Sequence, residues 1–452
     1  MLAAAEAVAI AQVCTSDAGR GLGVYLTLMA AGAGVALLAA RSLSGSSPRA
    51  LFLYAAALRA TLLLGTPDLS DDLRRYVWDG RVAAAGISPY ALAPADPALD
   101  VVARGGPRPP HADVRTVYPP AAQAVFRAVA TLFPDRSAGD RAATVALRVI
   151  FAATDAAIVP LIFALGGANA GWAAALYAFH PLPMTESAGQ GHLDSLGVLL
   201  LLVSLVYLSG GNGLSRGRRG RAGVAFVLSA LTKYVPLAAA MPMTRKGRAA
   251  FLAAAGATGL AFGVLPRAWH SPSVPSAGGL GVFAQTWEFN SLLYSGLERG
   301  FATTGFPEAA KSGWIALKAA LGHPRWMQVA FPYFYAGFLA RAALALLLAA
   351  ALLAILRIRD TETAVFASLA ALLLASPTLH PWYLLWLLPF AARRRDPAVL
   401  WLTFAVPASY ALLAPAAGVS SGAVLAFEYA PAALLFLAFL RRRRRAPLVS
   451  AA

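Results

Sequence analysis

Apolar runs long enough to form helices alternate with short polar stretches along almost the whole chain. Gly21–Ala40 is the first run and Leu51–Leu64 the second, slightly short of the roughly 20 residues a bilayer crossing needs. Further runs follow at Thr144–Leu165, Gly171–Pro183, Leu193–Leu208, Phe251–Leu265, Val329–Leu356, Ala364–Ala375, Tyr383–Phe390, Val399–Leu413 and Val424–Leu440. A Gly166-Gly167 turn joins the first two of these. Val224–Met243 is long enough to cross, yet arginines and lysines flank both of its ends. Thr232-Lys233-Tyr234-Val235-Pro236 sits at its midpoint, so the pattern predicts two half-helices that dip in and return, broken at Lys233–Pro236. A broken helix of this kind is tolerated only where protein buries it or a wet cavity receives it.

Two stretches are too polar to span. Residues 66–140 form a first outer loop and residues 267–328 a second, the latter carrying Trp269, Trp287, Tyr294, Trp314 and Trp326 as expected interface anchors. The first loop opens on Ser70-Asp71-Asp72-Leu73-Arg74-Arg75-Tyr76-Val77-Trp78-Asp79-Gly80-Arg81. Ser70 is a good helix N-cap, and the two aspartates fall in a first turn where the helix dipole favours negative charge. Helical periodicity then gathers Asp72, Tyr76 and Asp79 on one face, with Arg75 beside them. Later in the loop, Ala121–Phe133 is apolar but short and carries Gln123 and Arg127, which predicts an amphipathic helix lying on the outer surface.

Composition agrees with this pattern. Of 452 residues, 59% are hydrophobic and 13% charged, and mean hydropathy is +0.63. A soluble domain could not hide that much apolar surface, so the expectation is an all-α, polytopic membrane protein forming a single unit over 1–452, with about eleven crossings plus the broken hairpin. The net charge of +17 does not point to nucleic acid, because the positive groups sit in short clusters between apolar runs rather than in a basic domain. Half of the 38 Lys and Arg fall in the loops around Arg41, Arg216, Arg245, Arg357, Arg393 and Arg441, with only Asp360, Glu362 and Asp396 among the acids there. That asymmetry places these loops in the cytoplasm and the aspartate loop outside. The single Cys14 excludes an intramolecular disulfide and a cysteine metal site, and no basic segment precedes the apolar Leu2–Cys14, so no cleavable signal peptide is expected.

The side chains able to do chemistry then fall on the outer face: Asp71, Asp72, Asp79, Glu186, His192, Asp194, His380 and Trp382, with Lys233 pointing toward them from the broken hairpin. No phosphate-cradling glycine loop is present, so an outward site must draw an activated group from the membrane itself. A polyprenyl-phosphate sugar fits, because its phosphate wants cations at the interface and its tail a groove between helices. Displacing a lipid phosphate from an anomeric carbon requires a base on the attacking hydroxyl, while cations suffice for a leaving group that is already good. One base and a cationic pocket imply direct displacement with inversion, unlike a pair of carboxylates at glycosidase spacing.

Asp71-Asp72-Leu73-Arg74-Arg75-Tyr76, Gly191-His192-Leu193-Asp194, Leu231-Thr232-Lys233 and His380-Pro381-Trp382-Tyr383 together resemble the GT-C glycosyltransferases. The chain is most similar to the bacterial polyprenyl-phosphate-mannose-dependent mannosyltransferases. The resemblance implies a multi-pass enzyme of the bacterial inner membrane with its active site outside, moving a hexose, mannose first, from a polyprenyl-phosphate donor to a glycan or glycolipid. It implies Asp72, four residues before Tyr76, as general base and His380 as a partner of the donor phosphate. Two features depart from that pattern: a further span before the aspartate loop and the lack of a soluble C-terminal domain.

Each residue also has a plainer role. Asp72 could simply cap its helix, and Asp71 either joins it at the site, binding acceptor or metal, or supplies a second cap. No organic cofactor is expected, although the adjacent carboxylates could take a divalent cation; no third ligand lies near in sequence. His380 and Lys233 either hold the donor phosphate or serve the loop and the inner surface. His192 and Asp194 either contact the donor or pair with each other. Arg75 goes with the donor phosphate, and Tyr76 and Asp79 with the acceptor. Arg148 and Asp155, seven residues apart, read as a buried structural pair, and Arg441–Arg445 as a stop against anionic lipid. Two other classes compete: a transporter or lipid flippase, which would need matching inverted halves, and a non-catalytic envelope scaffold, which would not need carboxylates and histidines in four outer loops.

Overall fold

The computed structural model describes residues 18–104, 106–134, 140–209, 215–245, 248–260, 278–413 and 418–445. Cys14, Lys246 and Trp269 lie outside them, as do the end of the Phe251–Leu265 run and the start of the second outer loop. The described residues are all-helical, with a single isolated bridge between Phe289 and Thr378.

The helices used below are α1 (Ala18–Ser42), α2 (Pro48–Leu62), α3 (Asp72–Ala84), α4 (Pro120–Leu132), α5 (Arg141–Ala156), α6 (Ile158–Ala164), α7 (Ala170–Phe179), α8 (Asp194–Leu208), α9 (Arg216–Thr232), α10 (Arg248–Gly259), α11 (Gly278–Thr286), α12 (Leu292–Thr304), α13 (Phe306–Ala320), α14 (Ala336–Ile355), α15 (Thr361–Leu374), α16 (Leu388–Arg394), α17 (Pro397–Ala405) and α18 (Ser421–Arg445). The main core is built from α1, α2, α6–α8 and α15–α16, and the run Ala173–Ala175 and Ala178 lies entirely within it. Small side chains let neighbouring backbones approach closely, which is how helices associate in lipid. Large apolar side chains on α14, such as Leu346 and Leu353, remain exposed as a lipid-facing helix requires.

Four helical stretches are long and apolar enough to cross a membrane: Gly23–Ser42, Arg141–Ala164, Ala336–Ile355 and Ser421–Arg441. A fifth arises if Pro181–Gly189 and Asp194–Leu208, bent by 118° against each other, count as one broken span. The chain is therefore a polytopic helical membrane protein by composition and architecture, but helix length alone does not give about eleven crossings. Proline is one reason. The run expected over Gly171–Pro183 ends at Phe179, after which Pro181 and Pro183 start a short turn and residues Met184–Gly189 wind as a π-helical turn. The run expected from Val329 begins at Ala336, because Arg325–Tyr333 is a 3₁₀ turn. Tyr383 likewise falls within the 3₁₀ turn Pro381–Trp386 that precedes α16.

The break at Lys233 is present. α9 stops at Thr232, Lys233 is extended (φ −153°, ψ 139°), and a 3₁₀ turn over Val235–Ala239 carries the chain onward. Arg216, Arg218, Arg219 and Arg221 belong to the first turns of α9 rather than to a loop. The expected Ser70 cap is displaced by one residue: α3 begins at Asp72, whose amide donates to Ser70 Oγ (3.2 Å), while Asp71 occupies the cap position without a side-chain cap bond.

Buried arginines fasten the bundle differently from the pairing expected. Asp155 pairs with Arg59 of α2 at 2.5 Å and accepts from Tyr177 Oη, whereas Arg148 donates to the carbonyls of Leu62, Gly65 and Ala188. An i, i+7 spacing puts two groups on one face but leaves them two turns apart, and nearer partners on other helices win.

α3 crosses α4 so closely that a Cβ on Gly80 would lie 2.3 Å from the carbonyl oxygen of Phe126. Replacing Gly80 with alanine should push the two helices apart and cost about 1–3 kcal/mol, the usual range for overpacking. Thermal melts in detergent, compared with alanine at Gly34 of α1, where a Cβ would meet nothing within 4 Å, would read that loss.

Candidate active site

Tyr76 is the pivot of the outer helix pair. Its ring stacks on Phe126 of α4 (4.6 Å, 9°) and meets Tyr118 (4.9 Å) and Phe151 (6.2 Å) edge-on. The phenol donates to Asp72 Oδ2 at 3.4 Å, and burial, followed by the Asp72 charge, raises its pKa well above the ordinary tyrosine value. The group therefore stays a donor and holds the aspartate. On the adjacent side Asp79 accepts from Arg75 (2.9 Å) and Gln123 (3.0 Å), while Arg75 donates to the carbonyl of Val114 (2.8 Å). These bonds pin the outer loop to α3 and α4. The helical face foreseen from spacing is real, but only Asp72 on it reaches a cavity.

That cavity is about 460 Å³ and is lined by Asp72, Tyr118, Lys233, Tyr234, Trp287, Arg341, His380, Trp382 and Tyr383, with an apolar wall that includes Leu280, Phe283, Leu344, Leu348 and Leu372. Asp72 is part-exposed to it (29% for the side chain). Lys233 Nζ lies 2.8–2.9 Å from both oxygens of Asp194, whose Oδ1 also accepts from Trp386 Nε1 (2.7 Å), and sits 4.2 Å from the centre of the Tyr383 ring. Trp386 fits there because Gly197 of α8 has no side chain: a Cβ would stand 2.5 Å from the indole.

His192, Trp382, His380 and Phe289 form a continuous stack, with ring centres 3.8, 4.3 and 4.6 Å apart in turn. Phe289 is fixed by backbone bonds to the His380 loop, its amide donating to Pro377 and its carbonyl accepting from Leu379. The next residue, Asn290, donates to the buried Glu428 of α18 at 2.8 Å. Among the described residues His380 Nδ1 has no hydrogen-bond partner. Burial, with smaller electrostatic contributions from Lys233 and His192, lowers the His380 pKa from 6.5 to about 3. The ring is thus neutral at neutral pH and offers an N–H rather than a cation.

Of the residues singled out from sequence as able to do chemistry, Asp72, Lys233, His380 and Trp382 meet in this cavity. His192 lies one layer back, beneath Trp382, and approaches Glu186 (2.9 Å) rather than Asp194. Asp194 reaches the cavity through Lys233 alone. Asp71 is on the surface beside Arg74 (3.3 Å, 59% exposed), so the two neighbouring carboxylates face different surroundings. Among the described residues no three His, Cys, Asp or Glu side chains gather to hold a metal ion. Tyr294, expected at the membrane interface, is instead buried and donates to Glu298, at 3.2 Å, and to Glu288.

Sequence reasoning missed Arg341, which lines the cavity while bonded to Glu288 (2.7 Å) and Tyr294 Oη (2.9 Å). A charge inside the otherwise apolar Val329–Leu356 run was a usable signal, and Glu428 within Val424–Leu440 was another.

The model of glycosyltransferase family 87 matches residues 116–377, more than half of the chain. The matched stretch contains Lys233, Glu186, His192 and Asp194; Asp72 lies before it and His380 just after. No curated protein and no solved structure matches the sequence.

The neutral state of His380 has a pH signature. Because folding lowers its pKa from 6.5 to about 3, its contribution to stability is complete above 6.5 and disappears as pH falls toward 3. Thermal midpoints measured between pH 7 and 3.5 should fall less steeply for His380→Gln, which cannot take up the proton, than for the unaltered protein.

Proposed function

The chain belongs to glycosyltransferase family 87 and is a GT-C-like membrane glycosyltransferase, and from that premise we propose that it moves a hexose, mannose first among the candidates, from a polyprenyl-phosphate donor to an extracytoplasmic glycan or glycolipid. One observation carries this reading: Asp72, Lys233, Arg341 and His380 line a single cavity whose remaining wall is largely apolar. A charged phosphate and a hydrocarbon tail need such a divided lining, and an acceptor hydroxyl needs the carboxylate.

In the proposed reaction the acceptor hydroxyl attacks the anomeric carbon as its proton passes to Asp72. The bond from that carbon to the phosphate oxygen breaks, and the polyprenyl phosphate leaves with the electron pair. Lys233 and Arg341 meet the charge of the departing phosphate, and neutral His380 donates an N–H to it. Attack opposite the leaving group inverts the anomeric configuration. Aromatic faces of Tyr118, Trp287 and Tyr383 offer platforms for sugar rings, and the leucines of α14 and α15 give the tail a path toward the bilayer. The distribution of positive loops supports a cavity facing the extracytoplasmic side of a bacterial inner membrane.

The test is to incubate purified protein in lipid nanodiscs with radiolabelled polyprenyl-phosphate mannose, glucose and arabinose, and to follow released polyprenyl phosphate and the anomeric form of the product. Transfer with inversion from one donor is expected; hydrolysis without transfer, or retention, would overturn the scheme. Asp72→Asn should lower kcat by a factor on the order of 10²–10⁴ while leaving donor affinity within a few-fold. Arg341→Gln should instead weaken donor binding roughly tenfold or more, since a charge-assisted contact to phosphate is lost; donor titration on the two variants separates the roles.

A further inference from the structure

Behind the cavity wall an imidazole stands between two carboxylates. His192 is completely buried; its Nε2 is 4.0 Å from Asp72 Oδ2 and its Nδ1 is 2.9 Å from Glu186 Oε2. Neither ring nitrogen makes an aligned hydrogen bond in this arrangement, so both remain available to a carboxylate that turns toward them. Trp382 stacks on the ring at 3.8 Å and separates it from the cavity, which leaves His192 without a direct approach to a bound sugar or phosphate. Among the described residues the Asp72 side chain accepts only the 3.4 Å bond from Tyr76, and a shift of about 1 Å would bring it within hydrogen-bond range of Nε2.

Glu186 is as deeply buried as His192, and Tyr410 Oη donates to its two oxygens at 3.0 and 3.1 Å. A carboxylate in so dry a place is costly unless a positive charge offsets it. Among the described residues, His192 is the only cationic side chain within ion-pair distance of it. A proton arriving on the imidazole would be balanced by Glu186, and the group placed to deliver one is Asp72.

We propose that His192 and Glu186 form a proton relay behind Asp72. The inference rests on Asp72 being the base. Transfer leaves Asp72 as the carboxylic acid; its O–H bond then breaks, the proton binds Nε2 of His192, and Asp72 recovers its carboxylate. Glu186 stands 2.9 Å from Nδ1 of the imidazolium, and a small turn of that carboxylate aligns the bond through which it balances the charge. When product leaves, the proton returns through Asp72 to water in the opened cavity, so atoms and charge balance over the cycle without any other reactant. His192 is a positioning residue in this scheme, acting through Asp72. The charged and titratable groups facing it are Asp72 from α3, Glu186 with Tyr410 behind it, His380 across Trp382, and Arg148 packed under Gly191.

The relay makes predictions a purely structural role would not. With polyprenyl-phosphate mannose as the probe donor, His192→Gln in the full-length protein should lower kcat by roughly 10–100-fold with donor KM within about twofold. The remaining rate should climb with the concentration of added imidazole or other buffer base, which can reach Asp72 from the cavity. Glu186→Gln should show a smaller loss with the same buffer dependence. An inactive Asp72→Asn alongside a His192→Gln variant of full rate and no buffer dependence overturns the relay alone; an active Asp72→Asn overturns the base assignment and the relay with it. A measurement free of turnover runs in parallel. In ¹⁵N-histidine spectra of the full chain in nanodiscs, the His192 titration should move in Asp72→Asn and again in Glu186→Gln, and an unmoved titration in both overturns the proposal even if the probe donor is not a substrate.

Discussion

The ion pair between the part-exposed Lys233 and the buried Asp194 is the contact on which the cavity depends. It joins the point where α9 is broken to the first residue of α8, and Trp386 clamps the same carboxylate from a turn nearly two hundred residues later. A carboxylate taken out of water this far is stable only with a counter-charge and its remaining hydrogen-bonding capacity met. Removing Lys233 would leave the buried Asp194 uncompensated, a loss of up to about 3–5 kcal/mol. The extended backbone at Lys233 is what lets the ammonium lie over Tyr383 and face the cavity, so the helix break and the ion pair are one device.

The ring stack from His192 to Phe289 gives the opposite wall its shape. Flat rings in contact fix each other's orientation with few rotatable bonds, and the short bridge of Phe289 to Thr378 sets where the stack ends. Glu428 then ties that bridge to the last helix through Asn290, whose backbone is in the left-handed region (φ 50°). A residue far down the chain thereby helps determine where the His380 ring lies. The same wall separates two environments. On one side Lys233 and Arg341 face open space; on the other His192 and Glu186 are sealed in.

The segment from α3 to α4 supports Asp72 from beneath. Tyr76, Phe126 and Phe151 make a small aromatic core of their own, and the Arg75–Asp79–Gln123 network fastens the proline-rich segment across it. Gly279 of α11 completes the join: its Cβ position would fall 2.0 Å from the carbonyl of Arg115, so a larger residue there would part the second outer segment from the first. Both outer segments contribute to one cavity because of that close approach, with Trp287 at the end of α11 packed against His111.

Much of this was legible in the sequence, for physical reasons that act locally. Apolar runs between basic loops announce helices in a bilayer, a proline after Lys233 in the middle of one announces a break, and four-residue spacing puts Asp72 beside Tyr76. What lay beyond reach was partner choice among distant groups. Sequence put Asp71 with Asp72, His192 with Asp194 and Arg148 with Asp155, because proximity along a chain was the only distance available. In the fold, Arg74 takes Asp71, Glu186 approaches His192, Lys233 takes Asp194, and Arg59 takes Asp155. Periodicity specifies which face a side chain occupies; only the packing of whole helices, set by glycine and alanine contacts tens of residues away, decides what stands opposite it.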